Sequence, residues 1–417
     1  MPLISLWSSN RTAIEEFSVE QVVTAAGDGN LRDGSLCSQE LRAYLSEITS
    51  AKLGTYIEHC LSKHFGKGGM VLQDLVNELG RRLDYKVTNG RYQGTSNTIG
   101  YDGIWSSPEG HTIVVEVKTT DAYRISLDTI AAYRDRLSAN GEIFSPSSIL
   151  IIVGREDTGE LEAQVRGSRH AWDIRLISAD ALIKLVQLKE DADAPDTGRK
   201  IRSLLAPMEY TRLDQMIDVM FTTAKDVETA ASVETNIEGE EVGEAISLSE
   251  TSSTTSKGTW EFTDATLLQE KRELIVNTLN DRERINLIKR SRALYWDAGH
   301  TIRVACTISK RYTKRSYPYW YAHHPAWEDF LSEGKKAFLV LGCMDLAVAF
   351  AVPWEILHPV LDGLNTTQKE DSIYWHINLT EPEPGELTML LPKRNTALRL
   401  KEYVLPLKPE LTVAHSP

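Results

Sequence analysis

A carboxylate and an ammonium, two residues apart, interrupt one of the most apolar runs of the chain, Thr112-Ile113-Val114-Val115-Glu116-Val117-Lys118. A strand turns successive side chains to opposite faces, so Glu116 and Lys118 share one face while Ile113, Val115 and Val117 share the other. Charge in apolar surroundings is costly unless something uses it. Fourteen residues before Glu116 a lone acid, Asp102, stands in Gly100-Tyr101-Asp102-Gly103, and Ser107-Pro108-Glu109-Gly110 reads as a hairpin turn between the two. Folded back by that turn, Asp102 comes beside Glu116. Two carboxylates supply hard oxygen ligands for a cation such as Mg²⁺, and a neighbouring ammonium can orient an attacking water and offset developing charge. Such a set suits metal-dependent cleavage of a phosphodiester. The plainer alternative is a solvated ion pair at a strand end, with Asp102 capping a glycine-rich turn.

The elements that must position these residues read as α/β. Apolar periodicity predicts helices over Val19–Ala26, Ser38–Phe65 (ended by Gly66-Lys67-Gly68-Gly69) and Val71–Leu83. Short strands are expected at Tyr85–Val87, Thr98–Asp102, Thr112–Lys118, Ser148–Val153 and Ile174–Ile177, with helices at Leu127–Leu137, Ala179–Leu188 and Met208–Phe221. Strand–helix–strand alternation after Glu116 implies a crossover and a partly parallel sheet.

At 417 residues more than one domain is expected. Between Lys225 and Lys257 eight acids face two bases in a Glu-, Ser- and Thr-rich stretch without aromatics, so residues 225–258 read as an acidic linker. It separates residues 1–224 from residues 259–417, which open on a helix expected over Thr263–Tyr295. Strand-like runs then follow at Thr301–Ser309, Tyr317–Tyr321, Ala337–Leu341, Val348–Val352, Ser372–Leu379, Leu387–Leu391 and Leu398–Leu405, with a helical insert at Trp354–Leu361. This second domain reads as mostly β.

In order, Gly54-Thr55-Tyr56-Ile57-Glu58, Gly100-Tyr101-Asp102-Gly103 and Val115-Glu116-Val117-Lys118 give a helical Glu, a lone Asp and Glu-x-Lys on a buried strand. Over roughly residues 40–190 the chain resembles the PD-(D/E)xK nuclease superfamily, which includes type II restriction endonucleases and Holliday-junction resolvases. Tyr101 stands where the family usually has Pro. The resemblance implies a restriction-endonuclease-like mixed sheet flanked by helices. It implies Mg²⁺, with Mn²⁺ as a substitute, held by Asp102, Glu116 and the Val117 carbonyl, with Lys118 on the attacking water and Glu58 as an outer or second-metal ligand. Products with 5′-phosphate and 3′-hydroxyl ends are expected on double-stranded DNA. The context implied is restriction or antiviral defence in the cytoplasm, by a homodimer that could work with a further defence-system subunit. Two rivals stay open: a nuclease fold kept as a silent DNA-binding or regulatory scaffold, and an RNA nuclease.

Two further stretches offer nucleic-acid contacts. In Gln164–Trp172, Arg166, Ser168 and Arg169 could hold phosphates, or form an ordinary surface loop. In Ser309–Tyr321, Lys310, Arg311, Lys314 and Arg315 interleave with five aromatics, which suits phosphate contact and base stacking. Tyr319 and Tyr321 alternate as core residues would. The second domain could read a target sequence or a modified base, or only dimerise the enzyme.

Other classes are disfavoured. No run approaches the ~20 apolar residues of a membrane helix, no signal peptide is expected, and four scattered cysteines without a CxxC pair argue against disulfide or zinc frameworks. Asp157-Thr158-Gly159 lacks the apolar strand of an aspartic protease, His59 and His64 do not share a helical face, and Gly66–Gly69 lacks the Lys-Ser/Thr of a P-loop. The net charge of −13 does not exclude DNA, because about half of it lies in the linker and local basic patches bind phosphate.

Overall fold

A computed structural model describes residues 3–63, 65–93, 100–119, 125–154, 159–192, 196–207, 265–312, 317–369, 372–383 and 385–407. The chain divides into two units, Met1–Ala231 and Ser232–Pro417. The expected helix Met208–Phe221 and the expected linker lie outside the described residues, as do Lys314 and Arg315.

Unit 1 opens with α1 (Leu3–Ser9), α2 (Arg11–Glu15), α3 (Val19–Ala25), α4 (Leu36–Leu45), α5 (Ser50–Ser62) and α6 (Gly68–Arg82). The single helix expected over Ser38–Phe65 is therefore two. Thr49 caps a fresh start, its hydroxyl accepting from the Lys52 amide at 3.2 Å. The glycines at 66–69 also behave differently from the expectation: Gly68 begins α6.

Then come β1 (Lys86–Asn89), β2 (Gly103–Ser106), β3 (Thr112–Lys118), α7 (Leu127–Ala139), β4 (Ser147–Val153), α8 (Gly159–Arg166), β5 (Ile174–Ser178), α9 (Ala179–Asp191) and α10 (Thr197–Leu205). The strands form one mixed sheet, ordered β1-β2-β3-β4-β5. Strands β1 to β3 pair antiparallel, and β3, β4 and β5 run parallel. The expected hairpin turn is present: the Ser107 amide donates to the His111 carbonyl at 2.8 Å, and Gly110 takes a φ of +89°. Residues 100–102 are not strand, and β2 begins only at Gly103.

Each sheet face has its own core. Ile113, Val115, Trp105, Leu150 and Ile152 join α1, α3 to α6, α9 and α10 on one side. Ile104, Val114, Ile149, Ile151 and Val153 join α7 and α8 on the other. The parity of β3 thus sends Glu116 and Lys118 to the α7 side, with Val114. Helix α6 is buried along its length from Val71 to Gly80, its Gly80 giving way to the Trp105 ring. Its polar residues therefore need partners inside the protein.

Among the described residues, the first element of unit 2 is α11 (Ala265–Glu283). The helix expected to reach Tyr295 stops there. Arg284 takes a φ of +55°, the Asn280 side chain accepts from the Leu287 amide at 3.1 Å, and strands β6 (Leu287–Lys289) and β7 (Leu294–Asp297) follow. Next are β8 (Ile302–Ser309), β9 (Tyr319–His323), α12 (Pro325–Ser332), β10 (Lys336–Cys343), β11 (Val348–Pro353), α13 (Trp354–Leu357), β12 (Asn365–Lys369), β13 (Ser372–Glu383), β14 (Glu386–Leu391), β15 (Thr396–Arg399) and β16 (Val404–Pro406). The helical insert continues from α13 as a 3₁₀ turn, His358–Gly363. The run Leu398–Leu405, expected as one strand, is split between two sheets.

A six-stranded sheet is ordered β16-β11-β10-β8-β7-β6, and a second sheet joins β12-β13-β14-β15 with β9 on β13. Tyr319 and Tyr321 are buried, as their alternation implies. The mostly-β reading of this unit holds. All four cysteines are free and buried. Among the described residues no helix is long and apolar enough to cross a membrane.

Candidate active site

The carboxyl end of β3 gathers three of the residues singled out by their spacing. Gly103 pairs with Val115, and the Asp102 amide donates to the Val115 carbonyl at 3.0 Å, so the next rung sets Asp102 opposite Glu116. Asp102 Oδ2 accepts from the Val117 amide at 2.7 Å. Lys118 Nζ donates to Glu116 Oε1 at 2.5 Å, with the lysine about a third exposed. Burial, then the neighbouring Glu116 charge, push the Asp102 carboxyl up to about 7, against the pull of the Val117 amide and Lys118.

Carbonyls alternate sides along a strand. The Lys118 carbonyl accepts from Gly154 beyond β4, and the Val115 carbonyl faces Asp102. The Val117 carbonyl, sharing the parity of Val115, is therefore turned toward Asp102 as well. Two crowded carboxylates and a carbonyl on one spot fit a hard cation, whose charge relieves the repulsion that lifts Asp102. Among the described residues no group of three or more His, Cys, Asp and Glu is poised for a metal. Mg²⁺ does not need one, because it keeps several waters and takes one or two carboxylates plus substrate oxygens.

The spacing of the motif did not reveal what holds Asp102 in place. Its carbonyl accepts three hydrogen bonds: from the Gly90 amide at 2.9 Å, Gln73 Nε2 at 3.0 Å and Asn77 Nδ2 at 2.9 Å. Asn77 Oδ1 in turn accepts from Trp105 Nε1 at 2.9 Å. Both amide side chains come from buried α6. A Cβ at Gly90 would sit 1.9 Å from the Tyr101 carbonyl, and one at Gly103 would sit 2.2 Å from Asn77 Oδ1, so both glycines are needed for the clamp to close. Gln73 and Asn77, four residues apart on one face of α6, were the available signal.

Glu58 does not join the group. It is exposed on α5, whose Leu53, Tyr56 and Ile57 pack on the opposite face of the sheet. There it lines a cleft of 490 Å³ with Ile57, Leu61, Ile183, Lys184 and Gly154. Glu78, on the neighbouring α6, is buried against Arg81 and Arg82.

Among the described residues, each of the proposed phosphate contacts has a partner. Arg166 pairs with Glu162 at 3.6 Å and Arg169 with Asp128 at 3.0 Å, both on the surface, where a phosphate can displace such a partner at little cost. Ser168 Oγ donates to the Val165 carbonyl and accepts from the His170 amide, so it shapes the turn. His170 Nε2 meets Asp128 Oδ1 at 2.8 Å. In unit 2, Lys310 lies over the Tyr312 ring at 5.8 Å. Arg311 is held by both Asp345 (2.7 Å) and Glu381 (3.1 Å) over the Tyr319 ring, which makes it an internal tie and a poor phosphate ligand.

Compared with known protein families and with curated proteins, the chain matches none.

Proposed function

We propose that the chain is a Mg²⁺-dependent DNA endonuclease of the PD-(D/E)xK class, serving restriction or defence and cutting duplex DNA as a homodimer. The observation that carries this reading is Asp102 set opposite Glu116, with Lys118 on the same strand face at the end of β3. The surrounding architecture supports it: an antiparallel hairpin bearing both acids leads through α7 into a parallel strand, in a mixed sheet covered by helices on both faces.

In this reading Asp102, Glu116 and the Val117 carbonyl hold Mg²⁺, which when bound acidifies water and neutralises the scissile phosphate. Lys118, now paired with Glu116, turns its ammonium to the attacking water and to the charge that grows on the phosphate oxygens. Gln73, Asn77 and the Gly90 amide keep Asp102 in position without touching substrate. Unit 2 serves recognition or assembly.

The test is supercoiled plasmid incubated with the protein, with and without Mg²⁺, beside Glu116→Ala and Lys118→Ala. Cutting that requires metal and vanishes in both variants is expected. DNA bound but never cut favours the scaffold, and cutting of RNA alone favours an RNA nuclease.

A further inference from the structure

The inward-facing row of β9 runs Tyr319, Tyr321, His323, and the first two are ordinary core residues. The third is not. His323 is wholly buried, yet neither ring nitrogen has a hydrogen-bond partner. Burial holds its pKa down to about 3, so the ring is neutral and carries one N–H donor and one bare acceptor. A phenylalanine would fill this place without orphaning a polar atom, and buried polar groups are almost always paired.

Three indoles surround the imidazole: Trp327 at 5.8 Å, Trp354 at 5.7 Å and Trp375 at 5.5 Å between ring centroids. Trp327 is buried, whereas Trp354 and Trp375 reach solvent in part. Trp354 stands on a single helical turn, tied by its Nε1 to Ser332 Oγ at 3.1 Å. It stands on the shortest of the three elements that supply the indoles. Among the described residues no acid belongs to this ring of neighbours, and Glu328, on the same helix as Trp327, is engaged by His358 at 3.3 Å. The set therefore offers flat apolar faces and a neutral in-plane donor and acceptor, which suits a planar neutral heterocycle better than a cation.

We propose that the end of β9 in unit 2 is a nucleobase site, in which an unpaired base displaces Trp354, stacks on the remaining indoles and bonds His323 through its edge. Base–indole stacking tolerates every base, and a neutral imidazole complements a donor–acceptor edge. The choice of DNA as the source of the base rests on the endonuclease reading.

Binding of the full chain in EDTA is measured to two duplexes, one carrying 2-aminopurine opposite an abasic site and one fully paired. The wild type is expected to prefer the first by about tenfold, with quenching of 2-aminopurine as it stacks. His323→Phe and Trp375→Leu, which removes a stacking face, are each expected to reduce the preference to under twofold, His323→Phe with an undiminished thermal midpoint. Equal preference in the wild type and in His323→Phe, or no preference in the wild type, would overturn the proposal and leave His323 a hydrated core residue. Plasmid cutting with Mg²⁺ is scored separately. Cutting without base preference defeats this inference alone, and base preference without cutting defeats the endonuclease reading alone.

Discussion

The carboxyl end of β3 and the end of β9 make an instructive pair. At both, a row of core residues gives out and a polar group takes the next place. At β3 the residues of the motif are held: Asp102 by the Val117 amide and the α6 clamp, Glu116 by Lys118. At β9 the imidazole is enclosed by indoles and engaged by nothing. The first arrangement is preorganised, with its charges already aimed where chemistry would need them. The second leaves bonding capacity unused, so a partner is recognised by satisfying it. Unpaired charge at β3 would cost too much to leave waiting, whereas a neutral imidazole can wait.

Breaking the β3 end should have the largest consequence. Lys118→Ala or Glu116→Ala is expected to slow metal-dependent cleavage by about 10³-fold or more, with the unfolding midpoint little changed because both side chains stand at a partly exposed strand end. Loosening the clamp comes next. Asn77→Leu strips one donor from the Asp102 carbonyl and orphans buried Trp105 Nε1, so urea denaturation should show a loss of about 1–3 kcal/mol. Its cleavage rate should also drop, while Gln73→Leu, which orphans no indole, should do less.

The β9 end makes a prediction in pH. His323 has an ordinary pKa of 6.5 and is held near 3 in the fold. Below pH 6.5 the unfolded chain takes up a proton that the folded chain refuses, so stability falls as pH falls through that window. From this residue the loss is about 2 kcal/mol at pH 5, and His323→Phe should remove it. If the pH dependence is the same in His323→Phe, the imidazole is partnered after all. The smallest effect is expected at the cleft of α5: Glu58→Ala should change the cleavage rate by less than about threefold, since the side chain is exposed on the far face of the sheet.

What could be read along the chain was local. The period of two in β3, the turn at Ser107–Gly110 and the acid placed to fold back upon Glu116 are all short-range, and the structure reproduces them. The break at Thr49 was signalled by a capping residue but outweighed by an apolar stripe that continued through it. The clamp on Asp102 was hidden because Gln73 and Asn77 act on a residue 29 and 25 positions away. The ties of Arg311 were hidden for the same reason: its carboxylates lie 34 and 70 positions on. Glu58 has the residue type and chain order of a ligand, yet only packing decides which face of a sheet a helix covers.

The most direct test sets the two glutamate-bearing regions and the lysine side by side in one assay. Single-turnover cleavage of supercoiled plasmid in Mg²⁺ should be abolished in Lys118→Ala and Glu116→Ala and nearly intact in Glu58→Ala. Retained cleavage in Lys118→Ala, or its loss in Glu58→Ala, would contradict the placement of the chemistry at the end of β3.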